Sequence, residues 1–244
     1  MKILKYTKKK NGLYEVNLED NSKLLLYEDV ILSNDLLITK EINKDNIDNI
    51  LKANRFYDCY FVCLKMIKAR LRSVKEVKDK MVNGGYSEDI VLKVIEKLKK
   101  QGYLNDSFYA KSFLNNALIT TYHGPKKIYS DLKKKGINES IINDTISLYD
   151  LDTQKDKCLK IASHLNKSNK NVSNNILKKK IESKLRMEGF SSSAIEYAIS
   201  NTEFKDDKEI YDKEYDKAYK KLSKKYSGNE LELRIKKYMY TKGF

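Results

Sequence analysis

The chain has 244 residues, 41% hydrophobic and 34% charged, with a formal net charge of +15, one Pro, nine Gly and no Trp. That is enough apolar material for a core and too few helix breakers for a disordered or loop-rich chain. No apolar run is long enough to span a bilayer, and the start Met1-Lys2-Ile3-Leu4-Lys5 lacks the apolar stretch of a signal peptide, so the cytosol is the expected compartment.

The first thirty residues read as strands. Lys2 to Tyr6 is one candidate, Asn11-Gly12 is a hairpin signal, Tyr14, Val16 and Leu18 alternate with polar neighbours, and Lys23 to Tyr27 follows a turn at Asp20-Asn21-Ser22. A sheet this small needs a helix packed on it. Helix is expected from about Asp45, with an apolar stripe at Ile47, Ile50, Leu51, Tyr57, Phe61, Leu64, Ile67 and Leu71.

Ser73 with Glu76 three residues on reads as a capping box opening the next helix, which carries Val77 and Met81 and stops at Gly84-Gly85. Ser87 opens a third helix, ending at Gly102. The same grammar then recurs. Asn105-Asp106 caps a helix whose apolar positions are Phe108, Ala110, Phe113, Leu114 and Ala117. Pro125 sits at the first position of another, where its missing N–H costs nothing, and Asn138 to Leu148 forms a third. A further set begins near Asp152, runs through Leu159 and Leu165, breaks at Ser168-Asn169 and resumes to Ile199. The last begins near Asp206 and ends at Gly243-Phe244.

One pattern appears four times: apolar, three residues, apolar, three residues, Gly, then Tyr, Ile or Phe. The copies are Val77, Met81, Gly85, Tyr86; Ile128, Leu132, Gly136, Ile137; Ile181, Leu185, Gly189, Phe190; and Ile235, Met239, Gly243, Phe244. The glycines fall 51, 53 and 54 residues apart. Six residues after the first three lie Val91, Ile142 and Ile195, and ten after lie Ile95, Ile146 and Ile199. Recurrence in register marks these positions as core of a repeated unit. The predicted fold is mainly α: tandem three-helix repeats in an elongated array behind a small N-terminal antiparallel sheet. Its segments are 1–45 (β-rich), 46–101, 103–150 and 152–201 (three helices each), and 206–244 (two helices).

The positive excess is spread evenly along the chain. It suits a nucleic acid or an acidic protein surface, although the Lys-, Asn-, Ile- and Tyr-rich composition also reflects A+T-rich codons. Cys59 and Cys63, one helical turn apart, are more often small buried hydrophobes than metal ligands, and Cys158 has no Cys or His at a ligand spacing. His123 and His164 have no recognisable nucleophile or carboxylate partner in sequence. The expectation is no metal, no cofactor and no catalysis.

These residues resemble the RecX family of recombination regulators. Arg70-Leu71-Arg72-Ser73 with Val77 and Met81 to Gly85-Tyr86 looks like that family's first repeat. Gly102-Tyr103-Leu104-Asn105-Asp106, then Phe108 and Ala110, looks like the junction into its second. Gly124-Pro125-Lys126-Lys127-Ile128, then Leu132 and Lys135-Gly136-Ile137, looks like the second repeat's middle helix, and Leu185 with Gly189-Phe190 fits the third. The resemblance implies a regulator of homologous recombination, within DNA repair and the SOS response. It would bind RecA and the RecA–single-stranded DNA filament, inhibiting filament growth, RecA ATPase and strand exchange, with weak salt-dependent DNA binding and no membrane partner. A monomer is expected. Two departures stand out: the last unit shows no third helix, because the sequence is either cut short at Phe244 or has lost that helix, and Arg is rare after Arg72, with Lys in most basic positions.

The candidate contacts are Arg70 and Arg72, then basic residues on the middle helices: Lys126, Lys127, Lys133, Lys134 and Lys135; Lys178, Lys179, Lys180 and Arg186; and Lys236 and Lys237. The bland reading of any one lysine is a solvated surface, and of the two arginines a partner for a carboxylate or a helix C-terminus. The alternative function is a DNA-binding helical-repeat protein acting without RecA.

Overall fold

The structure is a computed structural model describing residues 1–169 and 171–244. It forms two compact units, residues 1–109 with 135–137, and residues 110–134 with 138–244.

The first unit opens with an antiparallel sheet in the order β1 (Ile3–Lys8), β2 (Leu13–Leu18), β3 (Lys23–Tyr27). Tyr6 pairs with Val16, and Val16 with Leu24. One face buries Ile3, Val16, Leu18 and Leu26 against Val30, Ile31, Leu36, Ile42 and Ile50. Two short helices the sequence reading missed, α1 (Glu28–Ser33) and α2 (Leu36–Thr39), supply part of that cover. They are too short for a 3.6-residue period to register, and the residues between 28 and 45 give no clear strand or helix pattern.

Helix α3 (Ile47–Ala69) then joins the sheet to a helical triplet with α4 (Val74–Asn83) and α5 (Glu88–Lys100). The expected stripe is only partly the buried one: Ile50, Cys59, Tyr60 and Cys63 are buried, while Leu51 and Leu71 are exposed. The reason is that α3 serves two cores. Its N-terminal half covers the sheet, and its C-terminal half packs with Val77, Met81, Val91, Val94, Ile95 and Leu98. Cys59 and Cys63 are wholly buried there, and the Cys63 thiol, hydrogen-bonded to Cys59 and cut off from water, is pushed far up. Asp58 ties the two cores together. It accepts from the Tyr27 hydroxyl at 3.0 Å and the Tyr86 hydroxyl at 2.6 Å, while Arg55 lies 4.4 Å over the Tyr86 ring. Burial first, then the Asp58 bond, pushes the Tyr27 phenol up to about 12.

The second unit continues with α6 (Asp106–Thr120, its first turn in the first unit), α7 (Pro125–Lys134), α8 (Glu139–Ile146), α9 (Leu151–Ser168), α10 (Asn174–Glu188), α11 (Ser192–Ser200), α12 (Lys208–Leu222) and α13 (Gly228–Thr241). Pro125 does open α7. Side chains of Asn138, Asp150, Ser173 and Ser191 cap α8, α9, α10 and α11. The repeat positions Ile128, Leu132, Ile142, Ile181, Leu185, Ile195, Ile235 and Met239 are buried. On α9 the buried apolar residues are Cys158 and Ala162, with Leu159 and Leu165 half-covered, because small residues let α11 and α10 approach closely. Phe108, expected on an apolar helix face, is 59% exposed.

Candidate partner-binding surface

Hydrogen bonds to carbonyls at the repeated glycines recur at the starts of three middle helices. In the first unit the N-cap hydroxyl of α4, Ser73, donates to the Lys135 carbonyl at 2.8 Å. In the second unit the N–H of Gly124, just before α7, donates to the Glu188 carbonyl at 2.7 Å, and the Lys126 N–H donates to the Gly189 carbonyl at 3.0 Å. The N-cap of α10, Ser173, donates to the Lys242 carbonyl at 2.7 Å. In each case the accepting carbonyls lie at the repeated glycine or just before it, at a middle-helix C-terminus. So α7, α10 and α13 meet end to end, the positive end of one dipole against the negative end of the next, and unsatisfied groups at both ends find partners. Ser73 and Ser173 are buried for this reason.

These contacts sort the candidate basic residues. Lys135 and Lys127 are half-buried and committed to the junctions: Lys135 Nζ lies 3.0 Å from Glu76, and Lys127 Nζ lies 2.8 Å from Glu188. They are not simply solvated, because Lys135 sits at the Ser73 N-cap and Lys127 at the C-terminal end of α10. Glu76 also pairs with Arg70 at 3.1 Å and bonds the Ser73 N–H, completing the capping box. Burial resists its charge, yet the bonds from Lys135, Ser73 and Arg70 outweigh that and hold its carboxyl down to about 2. Glu188 is likewise lowered against burial, by Lys127 and Lys184.

The remaining candidates on the middle helices are exposed. Lys133 lies 5.9 Å over the Tyr129 ring, Lys134 is 3.4 Å from Asp131, Lys178 is 5.1 Å over Phe204, and Arg186 pairs with Glu182 at 2.8 Å. Lys180 reaches the Asn169 side chain at 3.5 Å. Lys126, Lys179, Lys236 and Lys237 make no ion pair among the described residues. The second unit thus carries three groups of exposed cations on three helices joined end to end. A polyanion or an acidic protein surface could engage them in series, each group adding a weak, salt-screened contact.

Arg70 and Arg72 part company. Arg70 belongs to the Glu76 cluster, whereas Arg72 has no ion pair and its Nε is buried without an acceptor among the described residues. Beside it Tyr103 and Phe108 are exposed. Sequence reasoning placed Phe108 in the core, because an aromatic at a helical apolar position looks alike whether it faces a core or a partner. A buried lysine also escaped it. Lys157 Nζ donates to the Thr121 carbonyl at 2.7 Å and lies 5.9 Å over the Tyr149 ring, so it caps the end of α6, and burial lowers its pKa.

Comparison with known proteins adds to this geometry. Residues 59–98 match the family model described as RecX, first three-helix domain, and residues 105–146 match RecX, second three-helix domain. The chain is 32% identical over 248 residues to "Regulatory protein RecX" of Streptococcus sanguinis, covering 100% of this chain and 95% of that one. It is 28% identical over 242 residues to "Regulatory protein RecX" of Bacillus subtilis, covering 98% and 92%. Among solved structures, "Crystal structure of regulatory protein RecX" superposes with a TM-score of 0.75 at 26% identity, covering 82% of this chain and 99% of that one.

Proposed function

Because this chain belongs to the RecX family of regulatory proteins, we propose that it regulates homologous recombination by binding RecA and the RecA–single-stranded DNA filament. Bound there, it inhibits filament growth and with it RecA's ATPase and strand exchange. The observation that carries this reading is the set of exposed cations on α7, α10 and α13, helices whose ends meet so that the groups are held on one framework. A filament is itself a repeating partner. Several weak contacts in series on it combine through effective concentration, where a lone surface lysine achieves little. Lys in place of Arg fits this, since a point charge binds phosphate without demanding bidentate geometry.

The mechanism is one of binding. The protein occupies filament surface that an incoming RecA protomer needs, and electrostatic attraction speeds encounter with a polyanionic target. The test is co-sedimentation with RecA on single-stranded DNA, beside RecA's DNA-dependent ATP hydrolysis. Addition of the protein should lower the hydrolysis rate, and the protein should pellet with the filament. Tight DNA binding that is indifferent to RecA across a salt titration, with ATP hydrolysis unchanged, would favour a DNA-binding protein acting alone.

A further inference from the structure

Arg72 lies in the linker 70–73 between α3 and α4. The Val74 N–H donates to the Asp106 carboxylate at 2.9 Å, which clamps this linker against linker 101–105 between α5 and α6. Between them is a hollow of about 390 Å³ whose walls include Leu71, Arg72, Tyr103, Asn105 and Phe108.

Three features set it apart. First, the Nε of Arg72 is shut off from water with no acceptor, although the neighbouring Arg70 is paired with Glu76. A buried donor left unmade is unfavourable, and native folds keep few of them. Among the described residues Arg72 has no ion pair and its Nε no acceptor. Second, the apolar walls are uncovered: Leu71 is 46%, Tyr103 52% and Phe108 59% exposed. Third, no carboxylate is among the residues lining the hollow, and Arg72 is its one charged side chain. The Asn105 side-chain oxygen already accepts the Phe108 N–H at 3.0 Å, leaving its amide hydrogens.

We infer that this hollow docks a carboxylate side chain of a partner protein onto Arg72, with an adjoining apolar side chain against Tyr103 and Phe108. Resting on the function proposed above, the partner is RecA. An arginine fork matches a carboxylate bidentately, and a half-buried fork loses less on binding than an exposed one. Arg beside exposed aromatic rings is the composition of interface hot spots. A single-stranded nucleic acid is the poorer fit, because it needs a row of cations to neutralise successive phosphates. The hollow offers one cation, and the exposed clusters lie on other helices. The protein thus divides its work: Arg72 and its two rings read RecA, and the lysines of α7, α10 and α13 add charge.

The test uses the full chain and its Arg72→Met, Arg72→Lys and Tyr103→Ala/Phe108→Ala variants. Three quantities are read for each: affinity for DNA-free RecA, affinity for labelled oligo(dT), and melting temperature. Arg72→Met should weaken RecA binding at least tenfold and leave oligo(dT) affinity within twofold. Its melting temperature should stay level or rise, because the substitution removes an orphaned donor while keeping the apolar stem. Arg72→Lys should recover only part of the affinity, and the double aromatic variant should lose as much as Arg72→Met. Parent-like RecA binding by Arg72→Met overturns the inference. A parallel loss of oligo(dT) affinity reassigns the hollow to nucleotides, and a fall of several degrees in melting temperature makes Arg72 structural. A parent that binds no RecA sinks the proposed function and this inference with it, whereas a binding parent with indifferent variants sinks this inference alone.

Discussion

Gly85 and Gly189 share the same backbone conformation, φ +85, at the end of equivalent middle helices. Their surroundings differ. A Cβ at Gly85 would meet nothing within 4 Å, whereas a Cβ at Gly189 would lie 2.6 Å from the Lys127 backbone nitrogen. Replacing each by Ala therefore separates two costs. At Gly85 only the left-handed conformation is penalised, by about 1–2 kcal/mol. At Gly189 the same strain applies, and the junction must also open against main chain that cannot rotate away, adding about 1–3 kcal/mol by analogy with overpacked cores. The sum is about 2–5 kcal/mol. Gly124 supplies the control from the opposite side of the junction. It has no left-handed strain, but a Cβ there would lie 2.5 Å from the Gly189 carbonyl carbon, so Gly124→Ala should cost about 1–3 kcal/mol. For a chain of this size each kcal/mol lowers the melting temperature by about 2–4 °C. Thermal melts and urea titrations followed by circular dichroism give the ranking. Equal losses at Gly85 and Gly189, or no loss at Gly124, would show that the ends of α7 and α10 are not in contact and would refute the end-to-end junction.

Glu76→Gln should cost about 1–2 kcal/mol at pH 7, discounting the shift of its carboxyl because its partners Arg70 and Lys135 are partly exposed. The folded pKa is depressed, so this contribution is present above the unfolded value and fades as pH falls from about 5 toward 2. A parent–variant difference in melting temperature that stays constant over that range would contradict the assignment. For Lys157 the sign is opposite. Burial lowers its folded pKa, so the unfolded chain binds more protons as pH approaches the ordinary lysine value of about 10.4, and the parent should gain stability relative to Lys157→Met as pH rises from 8 toward 10. Urea titrations at several pH values check this, and a flat difference would contradict it. Reversing Lys178, Lys179 and Lys180 to Glu should weaken inhibition of RecA's ATPase only partly. Adding Lys133→Glu and Lys134→Glu should weaken it far more, with Lys135 spared because it holds Glu76. Full inhibition by the folded five-site variant would leave those faces as solubilising surface.

The sequence by itself determined the repeat and its helices. Apolar residues at helical spacing, Ser, Asn or Asp at helix starts, Pro125 at a first turn and Gly at each middle-helix end act over a few residues, so they can be read from neighbours alone. It also determined that most of the repeated apolar positions are core, because similar units bury similar faces, with Ile146 and Ile199 only half-covered. The family resemblance was legible for the same reason, since its motifs lie at helix ends and junctions where few residue types fit. What only the tertiary structure decided is which polar and aromatic residues are free. Lys126 and Lys127 are adjacent in sequence, yet Lys126 is exposed and Lys127 is bound to Glu188, 61 residues away. Arg70 and Arg72 looked equivalent, and only the fold gives Glu76 to one and leaves the other's Nε without an acceptor among the described residues. Phe108 carries the signature of a core aromatic and lies open, and Lys157 reads as surface and is buried. In each case the deciding neighbour comes from another helix. Its distance is set by how repeats pack end on end, and no local pattern of charge or hydrophobicity encodes which cation that packing neutralises.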